Sequence, residues 1–197
     1  MMEARFMENN QSHRQNLKIQ IREEYGRLVY TYTTHLKQAG LLTKQNERIK
    51  HWQIILSAIS TGGFLSAVIT SQITLTWISG IVSTALLVLN LYFKEFNLSD
   101  DIKEHRTTAD ALWVIRECYI SLLTDFPVLK TEEIMQKRDE LLSRTAEIYK
   151  AAPSTNPKSY SAAQKALKEN EEQFFRTSEI DQMLPEHLRE IKEPSQS

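Results

Sequence analysis

The first candidates for function in this sequence are polar residues that interrupt an otherwise apolar stretch. They recur at steps of three and four, so a helix would carry them on one stripe. That stripe, a candidate for pore lining or for helix packing, consists of Gln72, Thr76, Ser79, Ser83, Leu86 and Asn90. Hydroxyl and amide groups can hydrogen-bond a neighbouring helix, or can line a pore in an assembly, with Leu86 as an apolar gate. The spacing alone favours packing, and one set of side chains can serve both roles in different states.

Residue patterns typical of catalysis are missing from the sequence. The five histidines lie far apart and show no metal-ligand spacing with one another or with the single cysteine, Cys118. They are His13, His35, His51, His105 and His187. No glycine-rich loop resembles a phosphate-binding turn, because Gly62 and Gly63 lie within an apolar run. The sequence therefore predicts no catalytic residue, no metal and no cofactor, and the protein is not expected to be an enzyme.

The polar stripe lies inside a long segment without charge. From Trp52 to Phe93 there is no Asp, Glu, Lys, Arg or His. One membrane crossing needs about 20 mostly apolar residues, so the segment predicts two crossings, about 52–69 and 73–93, joined by a short turn at residues 70–72. A buried hairpin in a soluble bundle is the alternative, but apolar runs of this length are rare outside membranes. The absence of carboxylates argues against a cation-selective ring or a proton relay.

The flanks of this segment predict its orientation. Positive charge returns at once on both sides, at Lys44, Arg48 and Lys50 before it and at Lys94, Lys103 and Arg106 after it. The intervening turn has no Lys or Arg. The positive-inside rule then places both termini in the cytoplasm. We expect a multi-pass membrane protein. The resemblance described below implies that this membrane is the inner membrane of a bacterium.

The N-terminal region, residues 1–51, reads as cytoplasmic helix. An apolar stripe predicts a helix over about Ser12–Ala39, after a disordered tail, with Gly40 as its C-cap. Thr43 is a candidate N-cap for a second helix. No breaker separates that helix from the first crossing, so the two should form one rod that carries movement into the bilayer.

The C-terminal region, residues 94–197, also reads as helical. No Pro or Gly interrupts the chain between the second crossing and Pro127, which predicts one continuous helix through Phe126. Its cytoplasmic part has a heptad-like seam, a candidate for oligomer contacts, whose main positions are Leu98, Ile102, His105, Leu112, Arg116 and Tyr119. The polar positions could fix register, or could lie at the edge of the seam with Arg116 extended to solvent.

Two further helices and a short final segment complete the expected fold. Thr131 should cap the first, a Pro- and Ser-rich linker occupies residues 151–161, and Ser178 should cap the last segment. No segment shows the alternation of a strand. The predicted class is all-α: a transmembrane helical hairpin with a cytoplasmic helical bundle built from the N- and C-terminal helices. The formal net charge of −1 gives no reason to expect nucleic acid.

This layout resembles a known family. A cytoplasmic helix (REEYGRLVYTYTTHLKQAG) precedes a tight charge-free hairpin, and a long helix containing TTADALWVIRECYISLLTDF follows it. The order is similar to that of the SLATT proteins, two-transmembrane-helix effectors of bacterial conflict systems, over about residues 15–190. The resemblance implies a single SLATT-like domain that oligomerises and perforates or depolarises the inner membrane. It also implies a sensor protein or a nucleotide second messenger as the trigger.

Three functions remain open at this point. The first is a membrane effector of an antiphage, abortive-infection system that forms a homo-oligomeric pore. The second is a non-conducting two-helix scaffold that recruits a cytoplasmic partner. The third is a membrane-anchored enzyme, which would require titratable residues to cluster in a cytoplasmic cleft.

Overall fold

A computed structural model describes residues 2–70, 72–95, 97–173, 177–185 and 189, with the side chains of residues 2–9, 67, 70, 93–95, 177, 178 and 181 excepted. The hairpin turn predicted at Ser71, the side chains of Phe93 and Ser178, His187 and the final residues lie outside this part. The described residues form helices and no strands, which confirms the all-α class. Two compact units are present, residues 1–163 and 164–197.

Six helices make up the described chain. They are α1 Met2–Thr70, α2 Ile73–Glu95, α3 Leu98–Asp125, α4 Thr131–Ala151, α5 Pro157–Lys168 and α6 Thr177–Met183. Within the first unit, α1 is the common element: its N-terminal half packs against α3 and α4, and its C-terminal part packs against α2. The second unit contains the end of α5 together with α6.

The length of α1 corrects two predictions. The helix runs without a break for 69 residues, about 100 Å at 1.5 Å per residue, so neither the disordered tail nor the stop at Gly40 exists. No described glycine adopts the positive φ that a C-cap requires, and the Thr43 hydroxyl donates to the carbonyl of Ala39 (2.8 Å) from inside the helix. Packing on α3 before this point and on α2 after it holds the chain helical. The predicted helical continuity from the segment after Thr43 into residues 52–69 is confirmed.

A second correction concerns the helix after the second crossing. The predicted unbroken run to Phe126 is wrong, because α2 ends at Glu95 and α3 begins at Leu98. Between them Asn97 has φ −77° and ψ 73°, its carbonyl accepts from the Asp100 amide (3.0 Å), and its side-chain amide donates to the Asp100 carboxylate. An Asn before acidic residues is a helix-start signal, since carboxylates in a first turn complement the helix dipole. Helix α3 is therefore a separate element from α2.

The core of the bundle lies between α1, α3 and α4. It contains Leu17, Ile21 and Leu28 of α1, Leu112, Ile115, Tyr119 and Leu122 of α3, Phe126, and Ile134 and Leu141 of α4. The two long helices run antiparallel. Arg14 near the start of α1 donates to the carbonyl of Phe126 (2.8 Å), the C-cap of α3, and to the carbonyl of Leu129 (2.9 Å) in the connection to α4. The first of these bonds satisfies a carbonyl that the end of a helix leaves without a partner.

The starts of α4 and α5 differ slightly from expectation. Lys130, not Thr131, is the N-cap of α4, and its amide donates to the Glu133 carboxylate (2.9 Å). Helix α5 begins at Pro157, inside the predicted linker, with Asn156 accepting from the Ser159 amide (2.8 Å). Proline suits the first helical position, because the missing N–H would have no partner there anyway.

Candidate functional site

The candidate site is the interface between the end of α1 and α2. Three contacts define its register: the Gln53 side chain donates to the Asn90 carbonyl oxygen (3.0 Å), the hydroxyls of Ser60 and Ser83 are hydrogen-bonded, and Gly63 lies against Ser79. Residue numbers increase along α1 from Gln53 to Gly63, while those of the partners on α2 decrease from Asn90 to Ser79. The two helices are therefore antiparallel, and their polar groups face each other.

The contact at Gly63 is the tightest. A Cβ atom at this position would lie 2.6 Å from Ser79 Oγ, closer than real Cβ contacts. Ser79 is 4% exposed, and its hydroxyl donates to the carbonyl of Leu75 (2.8 Å). By contrast, a Cβ at Gly62 would meet nothing within 4 Å. Absence of a side chain at Gly63 thus allows the close helix approach that small residues provide in membranes.

The structure divides the predicted stripe into two parts. Ser79, Ser83 and Asn90 face α1 of the same chain, and Leu86 is half-buried between the last two. Gln72 and Thr76 are exposed at the end of the hairpin, where the Thr76 hydroxyl contacts the carbonyl of Gln72 (3.4 Å). Most of the stripe is therefore engaged within one hairpin, which is the arrangement expected of packing residues.

Sequence reasoning missed two participants in this interface. Gln53 and Gly63 occupy the face of α1 that meets α2. The signal was present, since Gln53, Leu56, Ser60 and Gly63 follow steps of three and four. This spacing could be assigned to the interface only once the antiparallel register of α1 and α2 was known.

The outside of the hairpin is apolar. Among the described residues one helix, Ile73–Tyr92, is long and apolar enough to cross a membrane, and almost none of it is buried within the chain. Trp77 and Ile81 of α2 are about 70% exposed, and Ile54 of α1 is 68% exposed. The first predicted crossing forms the end of α1 and includes Ala67, whose side chain is outside the described part. Exposed apolar surface of this extent needs lipid or protein to cover it.

The predicted seam of α3 faces α1 rather than solvent. His105, Leu112 and Tyr119 are buried against the N-terminal half of α1, and Leu98 and Ile102 are half-buried. Arg116 lies at the edge and pairs with Glu117 (2.9 Å). An oligomer built on α3 would therefore use other positions, such as the exposed Trp113.

A buried histidine pair joins α1 to α3. The Nδ1 atoms of His35 and His105 are 2.9 Å apart, and both residues are 3% exposed. Burial, and after it the neighbouring His105 ring, lowers the pKa of His35 from 6.5 to about 4. Burial also lowers the pKa of His105, while the carboxylates of Asp101 and Glu104 act in the opposite direction. No sequence pattern had paired these two residues.

An open cleft of about 550 Å³ lies between the first turns of α3 and the end of α4. Its polar wall carries Asp100, Lys103 and Glu104, and its apolar wall carries Ile148 and Pro153. With two carboxylates and one ammonium, the cleft does not match the positive environment that phosphates need. Within the described part of the chain, no three His, Cys, Asp or Glu residues come together as metal ligands would.

Among the described residues, the chain thus combines an all-α fold with one helix long and apolar enough to cross a membrane. The chain belongs to the SMODS and SLOG-associating 2TM effector domain family 4 (SLATT_4), whose model matches residues 17–179. The family is described as a two-transmembrane effector domain, which places the chain among the effectors of bacterial conflict systems. No curated protein and no solved structure matches the chain closely enough for comparison.

Proposed function

We propose that this protein is a membrane effector of a bacterial antiphage system, which oligomerises and opens a pore or otherwise depolarises the inner membrane when triggered. The observation that carries the proposal is the hairpin itself. It presents a polar interface inside and an apolar surface outside, and it belongs to a domain whose family is described as an effector. Both termini lie in the cytoplasm in this proposal, because Lys and Arg flank the hairpin on both sides.

In the proposed resting state the polar side chains of each hairpin are satisfied within the chain. Ser83 bonds Ser60 and Asn90 bonds Gln53, so these groups do not need a pore or a second copy. Opening would require them to exchange partners. Interhelical hydrogen bonds in membranes contribute about 0.6 kcal/mol each, so two of them oppose the exchange by only about 1 kcal/mol. A trigger with an ordinary allosteric coupling of about 1–3 kcal/mol is strong enough to shift this balance.

Helix α1 is the element that can transmit the trigger. It contacts α3 and α4 in the bundle and α2 in the hairpin without interruption, whereas the path through α2 and α3 breaks at Asn97. A trigger that displaces α3 would therefore move the hairpin mainly through α1. A partner protein suits the described surface better than a nucleotide does, since the acidic wall of the α3–α4 cleft repels phosphate.

The experiment measures membrane potential with a voltage-sensitive dye in bacteria that express the chain alone and with its genomic neighbours. Depolarisation that follows the trigger supports the proposal. Asn90→Leu should lower toxicity at equal membrane abundance, because it removes a polar group that a pore would use. The matched control is Thr84→Leu on the same helix, since the Thr84 hydroxyl is exposed and bonds only the carbonyl of Gly80 (2.9 Å). Equal toxicity of wild type and Asn90→Leu would count against a pore.

A specific observation favours the scaffold as the second candidate. Trp113, Val114 and Ile120 of α3 are between 37% and 48% exposed, although they lie on the cytoplasmic bundle. Large apolar side chains on such a surface are typical of a protein contact. A partner that co-purifies with the full chain, while membrane potential holds under every trigger tried, would establish the scaffold and exclude the pore.

A further inference from the structure

The hydrogen bond between His35 and His105 joins the two long helices of the bundle, α1 and α3. His35 is on the long helix that enters the hairpin, and His105 is two turns into α3, close to the break at Asn97. The ring centroids are 5.1 Å apart and tilted by 42°. A bond between two Nδ1 atoms needs a hydrogen on one and a lone pair on the other. The bond therefore exists only while at least one of the two rings is neutral.

The surroundings of the pair contain little to neutralise added charge. Asp101 and Glu104 act on His105 from α3, and His105 is the charged neighbour that acts on His35. From α4 the Tyr149 hydroxyl donates to the Thr31 hydroxyl (3.3 Å), one turn before His35, and Tyr160 of α5 stacks on Tyr30. The buried polar groups on adjacent turns of α1 and α3 are neutral: Thr33, Thr34, Gln38 and Thr108. The two carboxylates can offset one imidazolium at His105, and the charged group that acts on His35 is His105 itself.

We propose that His35 and His105 form an acid-sensitive latch, which holds α1 against α3 while the rings share a hydrogen and releases the two helices when both rings are protonated. In the doubly protonated state both Nδ1 atoms carry hydrogen, so the bond is lost. Two positive charges then face each other inside a buried interface, which is strongly unfavourable. Only the consequence of the latch at the membrane rests on the proposed function. That consequence is the release of the hairpin from the bundle.

The direction of the pH dependence follows from linkage. The pKa of His35 is about 4 in the folded chain and 6.5 ordinarily, so the folded chain binds fewer protons between these values. Stability is complete above about pH 6.5, falls as the pH drops, and reaches its minimum below about pH 4. One pKa unit is tenfold in an equilibrium constant, so the opening equilibrium should rise on the order of a hundredfold across the window.

The test uses the purified full chain in lipid nanodiscs and compares its melting temperature at pH 7.5 and pH 5.0. Wild type should lose several degrees more than the double variant His35→Leu/His105→Leu, which cannot take up these protons. The matched control is His13→Leu/His51→Leu, because both of these histidines are exposed on α1. The control should behave as wild type does. An equal loss in wild type and in the latch variant would overturn the latch.

A second measurement follows the pair itself in the wild-type chain. Nuclear magnetic resonance of the histidine ring carbons, assigned with His35→Gln and His105→Gln, should show both rings of the pair titrating below pH 6.5. If neither ring titrates below 6.5, the latch is wrong. Neither readout depends on conduction. A chain that shows the low titration and the wild-type-specific loss, yet never depolarises cells, keeps the latch and refutes the pore.

Discussion

Gly62 and Gly63 offer a matched pair of substitutions inside one helix. Replacing Gly63 by Leu should push α1 away from α2, because its Cβ would already lie 2.6 Å from Ser79 Oγ. Replacing Gly62 by Leu adds the same side chain to open space. The two variants have the same composition and the same hydropathy, so they differ only in whether the new side chain enters the interface.

The cost at Gly63 has two parts. Overpacking an interface costs about 1–3 kcal/mol. Separation of the helices also weakens the Ser60–Ser83 and Gln53–Asn90 bonds, at about 0.6 kcal/mol each. We therefore expect a loss of about 2–4 kcal/mol in hairpin closure, against less than about 0.5 kcal/mol for Gly62→Leu.

Disulfide cross-linking across the hairpin measures this loss. In a Cys118→Ser background, cysteines replace Leu56 and Leu86, which are half-buried between the two polar bonds. Oxidation in membranes should cross-link this parent efficiently. Gly63→Leu should reduce the yield several-fold, and Gly62→Leu should leave it unchanged. Equal yields for the two leucine variants would refute the close approach at Gly63.

Two further predictions concern the bundle and the polar interface. Arg14→Ala should lower the melting temperature by several degrees, because it removes two charge-assisted bonds to the carbonyls of Phe126 and Leu129, worth about 2 kcal/mol together. The control, Arg27→Ala, should have little effect, because the ion pairs of Arg27 with Glu23 and Glu24 are exposed. A double-mutant cycle of Gln53→Leu and Asn90→Leu, read by the same cross-link, should give a coupling of about 0.6 kcal/mol, and additive effects would show that the bond contributes nothing.

Periodicity predicted which residues share a face but not which element covers that face. The apolar stripe expected over Ser12–Ala39 includes Leu17, Ile21 and Leu28, and the structure buries all three. The seam through Leu112 and Tyr119 was also real, yet its partner is α1 of the same chain rather than another copy. A stripe at steps of three and four looks the same for either partner, so sequence alone could not separate the two cases.

The boundaries failed where a single residue was given too much or too little weight. Gly40 does not end α1, because a glycine costs a helix only about 1 kcal/mol, which packing on both sides overcomes. The start of α3 is marked by Asn97 with Asp100 and Asp101 after it, a signal that the absence of Pro and Gly hides. The His35–His105 contact joins positions far apart in the chain and required the antiparallel register of α1 and α3 to be seen.

Because α1 is unbroken, it fixes the angle around its axis between its contact with α3 in the bundle and its contact with α2 in the hairpin. His35 faces α3 and Gln53 faces α2, and the distance between them along the chain is a whole number of turns at 3.6 residues per turn. Both contacts therefore lie along the same side of one rod. One residue inserted between them would swing the hairpin by about 100° around the bundle, whereas about seven inserted residues would nearly restore it. The number of residues between His35 and Gln53 thus determines the direction in which the hairpin points relative to the bundle.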